Sequence, residues 1–200
     1  SEWRGAGIAA LEREKMLAGL PARMVYFDLF DVNPNFGGIL PADLDGPPPP
    51  AGTPNFLAEV DDSTWLFDQK DTLRIWEFHV NWLNPTSSTL GLDGDPNQKL
   101  PVADFIPYTA GSSSACLTQN CIPQPNSAPK LDAIGDRLMH RLQYRYFNSY
   151  ETLVVNHTVE TPTGSAGVRW YELRNSGDEW KIRQQGTYGG NPPDALYRWN

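Results

Sequence analysis

Cleaving a glycosidic bond takes two carboxylates facing each other across a sugar. The acids of this chain offer candidates without a spacing rule to choose among them: Asp28, Asp31, Asp43, Asp45, Glu59, Asp61 and Asp62 lie in or beside loops. A sialidase-type site would add an arginine cluster for the substrate carboxylate, together with a Tyr and Glu pair. Arg141, Arg145, Arg169 and Arg174, with Tyr144 and Tyr171 nearby, supply those residue types. They sit in strand-like segments, where an arginine ordinarily lies on a solvated face. The reading is that no catalytic constellation is present. No Gly-rich phosphate cradle follows a strand, and no nucleophile elbow occurs.

Asp93-Gly94-Asp95-Pro96-Asn97 has the form of the start of a calcium loop, with oxygen ligands on alternating positions. Gln98 stands where the turn glycine belongs, and Asp104 rather than Glu takes the twelfth place. A plain polar turn is the favoured reading. Calcium is the one cofactor the sequence suggests, with Asp93, Asp95 and Asn97 as its ligands. His79, His140 and His157 each stand alone in a strand, without a second ligand at metal spacing. Trp76, Phe78 and Trp82 share one face of a strand. Aromatics so placed usually build a core, and Trp76 and Trp82 are also the candidates for stacking on a ligand such as a sugar. Cys116 and Cys121 enclose four residues, a loop that a disulfide can close, whereas metal knuckles usually show two-residue spacing and further ligands. The expected bridge implies an oxidising compartment; two free thiols are the alternative. Asn156-His157-Thr158 is a glycosylation sequon inside an apparent strand, a coincidence of composition.

The elements that must position these residues are mostly strands. Residues 5–19 read as a short amphipathic helix, because Ile8, Leu11, Met16 and Leu17 recur near helical spacing between charged residues. Strands are expected over 24–29, 55–60, 72–82, 88–92, 137–147, 152–160, 168–174 and 179–183, the last two as a hairpin around Asn175-Ser176-Gly177-Asp178. The clearest is 72–82, with Leu73 and Ile75 on one face and Trp76, Phe78, Val80 and Trp82 on the other. Long loops are expected near 33–54, where Pro47 to Pro50 are consecutive, and near 107–130, which holds both cysteines.

The 200 residues are enough for one domain. Their net charge of −8 argues against a nucleic-acid partner, which needs clustered Lys and Arg. No apolar run is long enough to span a membrane. The first residues lack the charged and apolar regions of a secretion signal, so any signal is expected to be removed or to lie outside this stretch.

Asp136-Arg137-Leu138-Met139, the run 153–159, Val168-Arg169-Trp170-Tyr171-Glu172-Leu173-Arg174 and Gln184-Gln185-Gly186-Thr187-Tyr188 resemble a group of large secreted bacterial proteins of unassigned function with sialidase-like β-propeller repeats. Leu73 to Val80 and Tyr26 to Leu29 look like parts of the same group. The likeness spans most of the chain and rests on strand segments, not on catalytic motifs. The turn 175–180 is similar to the structural aspartate-box hairpin of sialidases, with degenerate spacing.

Together these readings give an all-β chain: one partial β-propeller segment over 1–200, about two blades plus long loops, with one short N-terminal helix. Roughly nine strands are too few to close a ring of at least about four four-stranded blades. The remaining blades are therefore expected from the same polypeptide or from a partner chain. The expected role is non-catalytic, binding a glycan or protein or building a surface assembly outside the cell. The alternative is a sialidase-like enzyme whose site the missing blades complete.

Overall fold

The computed structural model describes residues 4–63, 69–108, 120–124, 127–177 and 179–189, and they are predominantly strand. In chain order come β1 (Gly7–Leu11), the one-turn helix α1 (Arg13–Leu17), β2 (Met24–Asp28), β3 (Leu40–Leu44), β4 (Asn55–Asp61), β5 (Thr72–His79), a 3-10 turn (Pro85–Ser87), β6 (Thr89–Leu90) and β7 (Gln98–Pro101). Then follow β8 (Asn120–Gln124), β9 (Ser127–Asp132), β10 (Met139–Tyr146), β11 (Glu151–Glu160), β12 (Ala166–Asn175) and β13 (Trp180–Tyr188). Among the described residues no helix is long and apolar enough to cross a membrane.

Nine of these strands form one sheet in the order β13-β12-β11-β10-β3-β4-β5-β6, with β7 also pairing β5. Strand β3 joins its two halves. Leu40 and Pro41 pair antiparallel with Ala58 and Leu57 of β4, whereas Ala42, Asp43 and Leu44 run parallel to Leu142, Gln143 and Tyr144 of β10. From β10 to β13 the chain is an antiparallel meander. Its longest ladder, β11 with β12, runs unbroken from Glu151–Asn175 to Glu160–Ala166.

The sheet curls into a half-barrel. Phe56 on β4 and Trp180 on β13 are five strand steps apart, which in a flat sheet would be about 24 Å. Their rings nevertheless meet edge to face at 4.9 Å. The concave side is filled by Phe56, Ala58, Leu73, Ile75, Leu142, Leu153, Tyr171, Leu173 and Trp180, among others. Each large apolar side chain so enclosed contributes about 1.5–3 kcal/mol. On the convex side of β4 and β5 a second core joins Leu57, Trp76, Phe78 and Leu90 to Ile8 and Val25 of the β1–β2 hairpin and to Leu29 and Phe36. Apart from Asn55 at the start of β4 and Glu77 and His79 at the end of β5, both strands are buried throughout, because each face has a core against it.

All-β character is the expected class, but several elements depart from expectation. Where a helix over 5–19 was expected, Gly7–Leu11 is a strand paired with Met24–Asp28, and only Arg13–Leu17 is helical. Of the residues whose spacing suggested a helical face, Leu11, Met16 and Leu17 are exposed, and Ile8 is buried from the strand β1 instead. The expected loop near 33–54 contains β3, and the one near 107–130 contains β8 and most of β9. The Asn156 of the sequon lies within a strand, β11, as expected. Nine strands share one sheet, with β10–β13 as its consecutive meander.

Candidate functional site

The candidate carboxylates and arginines go to separate places. Arg141 on β10 donates from Nε to Asp43 at 2.6 Å and from Nη2 to Asp45 at 2.8 Å. Two acids and one arginine thus clamp the short parallel pairing of β3 with β10. Arg174 pairs with Glu172 at 2.6 Å and covers the Tyr150 ring, while Arg145 covers Phe147. The Tyr144 hydroxyl donates to Glu151 at 2.6 Å. Asp28 accepts from the Phe30 amide in a local turn.

Glu59, Asp61 and Arg74 form a buried group on the convex face. Glu59 stands opposite Arg74 in the β4–β5 register, and Asp61 lies two residues along on the same face. Arg74 donates to Asp61 at 2.6 Å and to Glu59 at 3.1 Å, while Glu59 accepts the Gly37 amide at 2.7 Å. The guanidinium also faces the Phe36 ring, with Cζ 5.5 Å from its centroid. Burial, reinforced by Asp61, raises the Glu59 pKa to about 7 against the pull of the Gly37 amide and Arg74. The group fastens the 36–37 loop to the sheet; all three residues are enclosed.

His157 is wholly buried, with Nε2 2.9 Å from the Tyr171 hydroxyl and the two rings stacked. Burial, then the Arg169 charge, lowers its pKa to about 3, so it is neutral at physiological pH. His79 and His140 are exposed elsewhere. Among the described residues no group of three His, Cys, Asp or Glu stands close enough to hold a metal ion.

The 91–97 turn is tied to β5 through its own oxygens. The Asn97 side-chain oxygen accepts the Glu77 amide at 2.7 Å, and the Gly94 carbonyl accepts the Trp76 indole N–H at 2.8 Å. Asp93 and Asp95 are exposed, and the Asp95 carbonyl accepts the Leu92 amide. The turn caps Trp76, which is fully buried edge-on to Phe36 and belongs to the core rather than to a stacking surface. Trp82 is half-buried, with the Arg23 guanidinium 5.8 Å from its ring centroid. Cys121 has no free thiol; Cys116 lies outside the described residues, as does Asp178 of the expected hairpin turn.

A cleft lies where the sheet comes back on itself. Strand β7 is held on one side by β5, and its other side faces β13 across a cleft of about 550 Å³, lined by β7 and residues 179–182. Among the described residues β7 and β13 share no backbone ladder; side chains bridge them instead. The Gln98 side chain accepts the Trp180 amide N–H at 2.8 Å. Farther along, Gln185 accepts the Ala103 amide at 3.0 Å, and Arg169 donates to the Ala103 carbonyl at 3.0 Å and to Gln185 at 2.8 Å. Leu100, Trp180 and Ile182 face the concave core, while Lys99 and Lys181 are exposed on the convex side.

The sequence reading named Gln98 only as the residue in the place of a calcium loop's glycine and Gln185 only within the resemblance, and it did not single out Lys99 or Lys181. Alternation of Trp180, Lys181, Ile182 and Arg183 was legible; the return of β7 to this edge was not. No family model, curated protein or solved structure matches this chain.

Proposed function

We propose that this chain is a non-catalytic, extracytoplasmic segment that recognises or assembles with another protein through the open β7–β13 seam. One observation carries the reading: two strand edges face each other across a cleft held by side chains rather than by a ladder. A strand edge is a template for another extended chain, and natural sheets usually cover it. The fate of the candidate acids supports the same view. Asp43 and Asp45 share the single guanidinium of Arg141, and Glu59 and Asp61 are buried around Arg74.

The propeller reading draws its support from β10–β13, a consecutive antiparallel run of blade size, and from the strand segments that resemble the secreted bacterial group. On that reading the neighbour at the seam is a further blade of the same polypeptide or a partner chain. An extracytoplasmic location rests on the proposed Cys116–Cys121 bridge, which predicts that Cys121 is alkylated only after reduction.

Fluorogenic sialosides and neutral glycosides test the sialidase-like alternative. No turnover is expected. Turnover abolished by Asp43→Asn or Glu59→Gln would overturn the proposal, and saturable glycan binding lost with Trp82→Ala would replace a protein partner with a sugar.

A further inference from the structure

We propose that residues 102–107 form an acid-released strap across the concave face of the half-barrel, with His157 beneath it as the group whose protonation frees it. The inference goes beyond the seam's proposed role and does not depend on it.

The strap follows directly on β7 and is tied down at separate points. The Val102 N–H donates to the Asp71 backbone carbonyl at 2.9 Å, and the Phe105 N–H donates to the Asp71 carboxylate at 2.6 Å. Ala103 is held by Gln185 of β13 and Arg169 of β12. Farther on, the Glu160 N–H of β11 donates to the Ile106 carbonyl at 2.7 Å, and Pro107 forms an isolated bridge with Val159. Single bonds to several elements are not a ladder, so this segment can open without unpairing the sheet beneath it.

His157 makes that opening depend on pH. It is wholly buried, and its ring meets Phe105 of the strap edge to face, with centroids 4.6 Å apart. Nε2 lies 2.9 Å from the Tyr171 hydroxyl, whereas the buried Nδ1 has no hydrogen-bond partner. An imidazolium carries an N–H on both nitrogens, so a proton taken up here leaves a donor unmet. The surroundings do not welcome a cation either. From β12 come Tyr171 and Arg169, and Arg169 donates to Ala103, Gln185 and Thr187, all neutral, so its charge opposes a second one. Asp71 gives its carboxylate to the Ser63 and Phe105 amides. The strap sets the uncharged Phe105 against the ring while Asp104 is exposed, and on the β10 side Met139 pairs with the neighbouring Asn156.

Under the closed strap, burial and then Arg169 hold the His157 pKa at about 3; in the open form the ring meets water and regains its ordinary value of 6.5. The closed form is thus fully favoured above about 6.5 and loses ground as the pH falls towards about 3.

The test is amide hydrogen exchange of the intact chain at pH 7.5 and 5.0, read as protection factors. Protection at Ala103, Phe105 and Glu160 should fall about thirtyfold at the lower pH, while Leu173 in the ladder should hold. His157→Phe keeps a ring in place but takes up no proton, and should reduce the fall to about threefold or less. His79→Gln with His140→Gln removes the exposed histidines and should leave the full effect. Circular dichroism establishes that the variants are folded. Should His157→Phe fail to fold, the native chain decides by NMR: its His157 ring signals should not titrate between pH 7.5 and 5.0.

Unchanged strap protection, a His157 midpoint near 6.5, or a fall that survives in His157→Phe would overturn the proposal. An equal fall at Leu173 would also overturn it, since the whole fold would then be opening. An Ile182 amide as protected as Leu173 would instead remove the seam reading and leave the strap untouched.

Discussion

Glu59 shares one guanidinium with Asp61, so the buried group carries one negative charge more than it neutralises when both acids are ionised. Burial is the main reason its pKa rises from 4.5 to about 7. A carboxyl whose folded pKa exceeds its unfolded value binds its proton more tightly in the folded state. Its favourable contribution is complete below about 4.5 and is lost as the pH rises through about 7. Urea titrations across that window should show a downward slope that Glu59→Gln reduces. Arg74→Met would leave the acids buried without their cation and should cost about 3–5 kcal/mol in the same titrations. In the 91–97 turn, metal-free Asn97→Ala should cost about 1–3 kcal/mol, because the Glu77 amide loses its acceptor. Asp95→Ala, at an exposed side chain, should stay within about 0.5 kcal/mol. Equal effects of the two variants that appear only with calcium would restore the metal-loop reading.

Among the elements, strands with strong β-branched and aromatic content were legible from sequence. Residues 55–60, 152–160 and 168–174 fall inside β4, β11 and β12. The expected strand 72–82 stops at His79, and both of its expected faces are buried in separate cores. Elements defined by their partners were not legible. In Leu40–Leu44, Pro41 and Asp43 break every strand pattern, yet the segment is held by β4 on one side and β10 on the other. Over Gly7–Leu11, five residues are too few to distinguish alternation from helical spacing, and pairing with β2 decides it. His140 is exposed on β10, where the pairing with β11 shifts register between Met139 and Gln143. At Gly91, φ is 57°, and an added Cβ would stand 2.0 Å from the Asp95 carbonyl oxygen. Thermal unfolding of Gly91→Ala should therefore show a loss of about 2 kcal/mol or more, released through the turn that caps Trp76.

For the molecule as a whole, local patterns identify strands but not the curl that places β7 opposite β13, because the contact joins residues about 80 positions apart in sequence. The candidate site was therefore the least legible part. Its residues are ordinary Gln, Lys and Ile until the sheet brings them together. Hydrogen exchange of backbone amides is the most direct measure of this arrangement. Amides of β11 and β12, flanked by ladders on both sides, should exchange most slowly, while the Ile182 amide should exchange well before them. Protection of Ile182 equal to that of Leu173 in the isolated chain would mean that a ladder already closes the half-barrel, and would contradict an open seam.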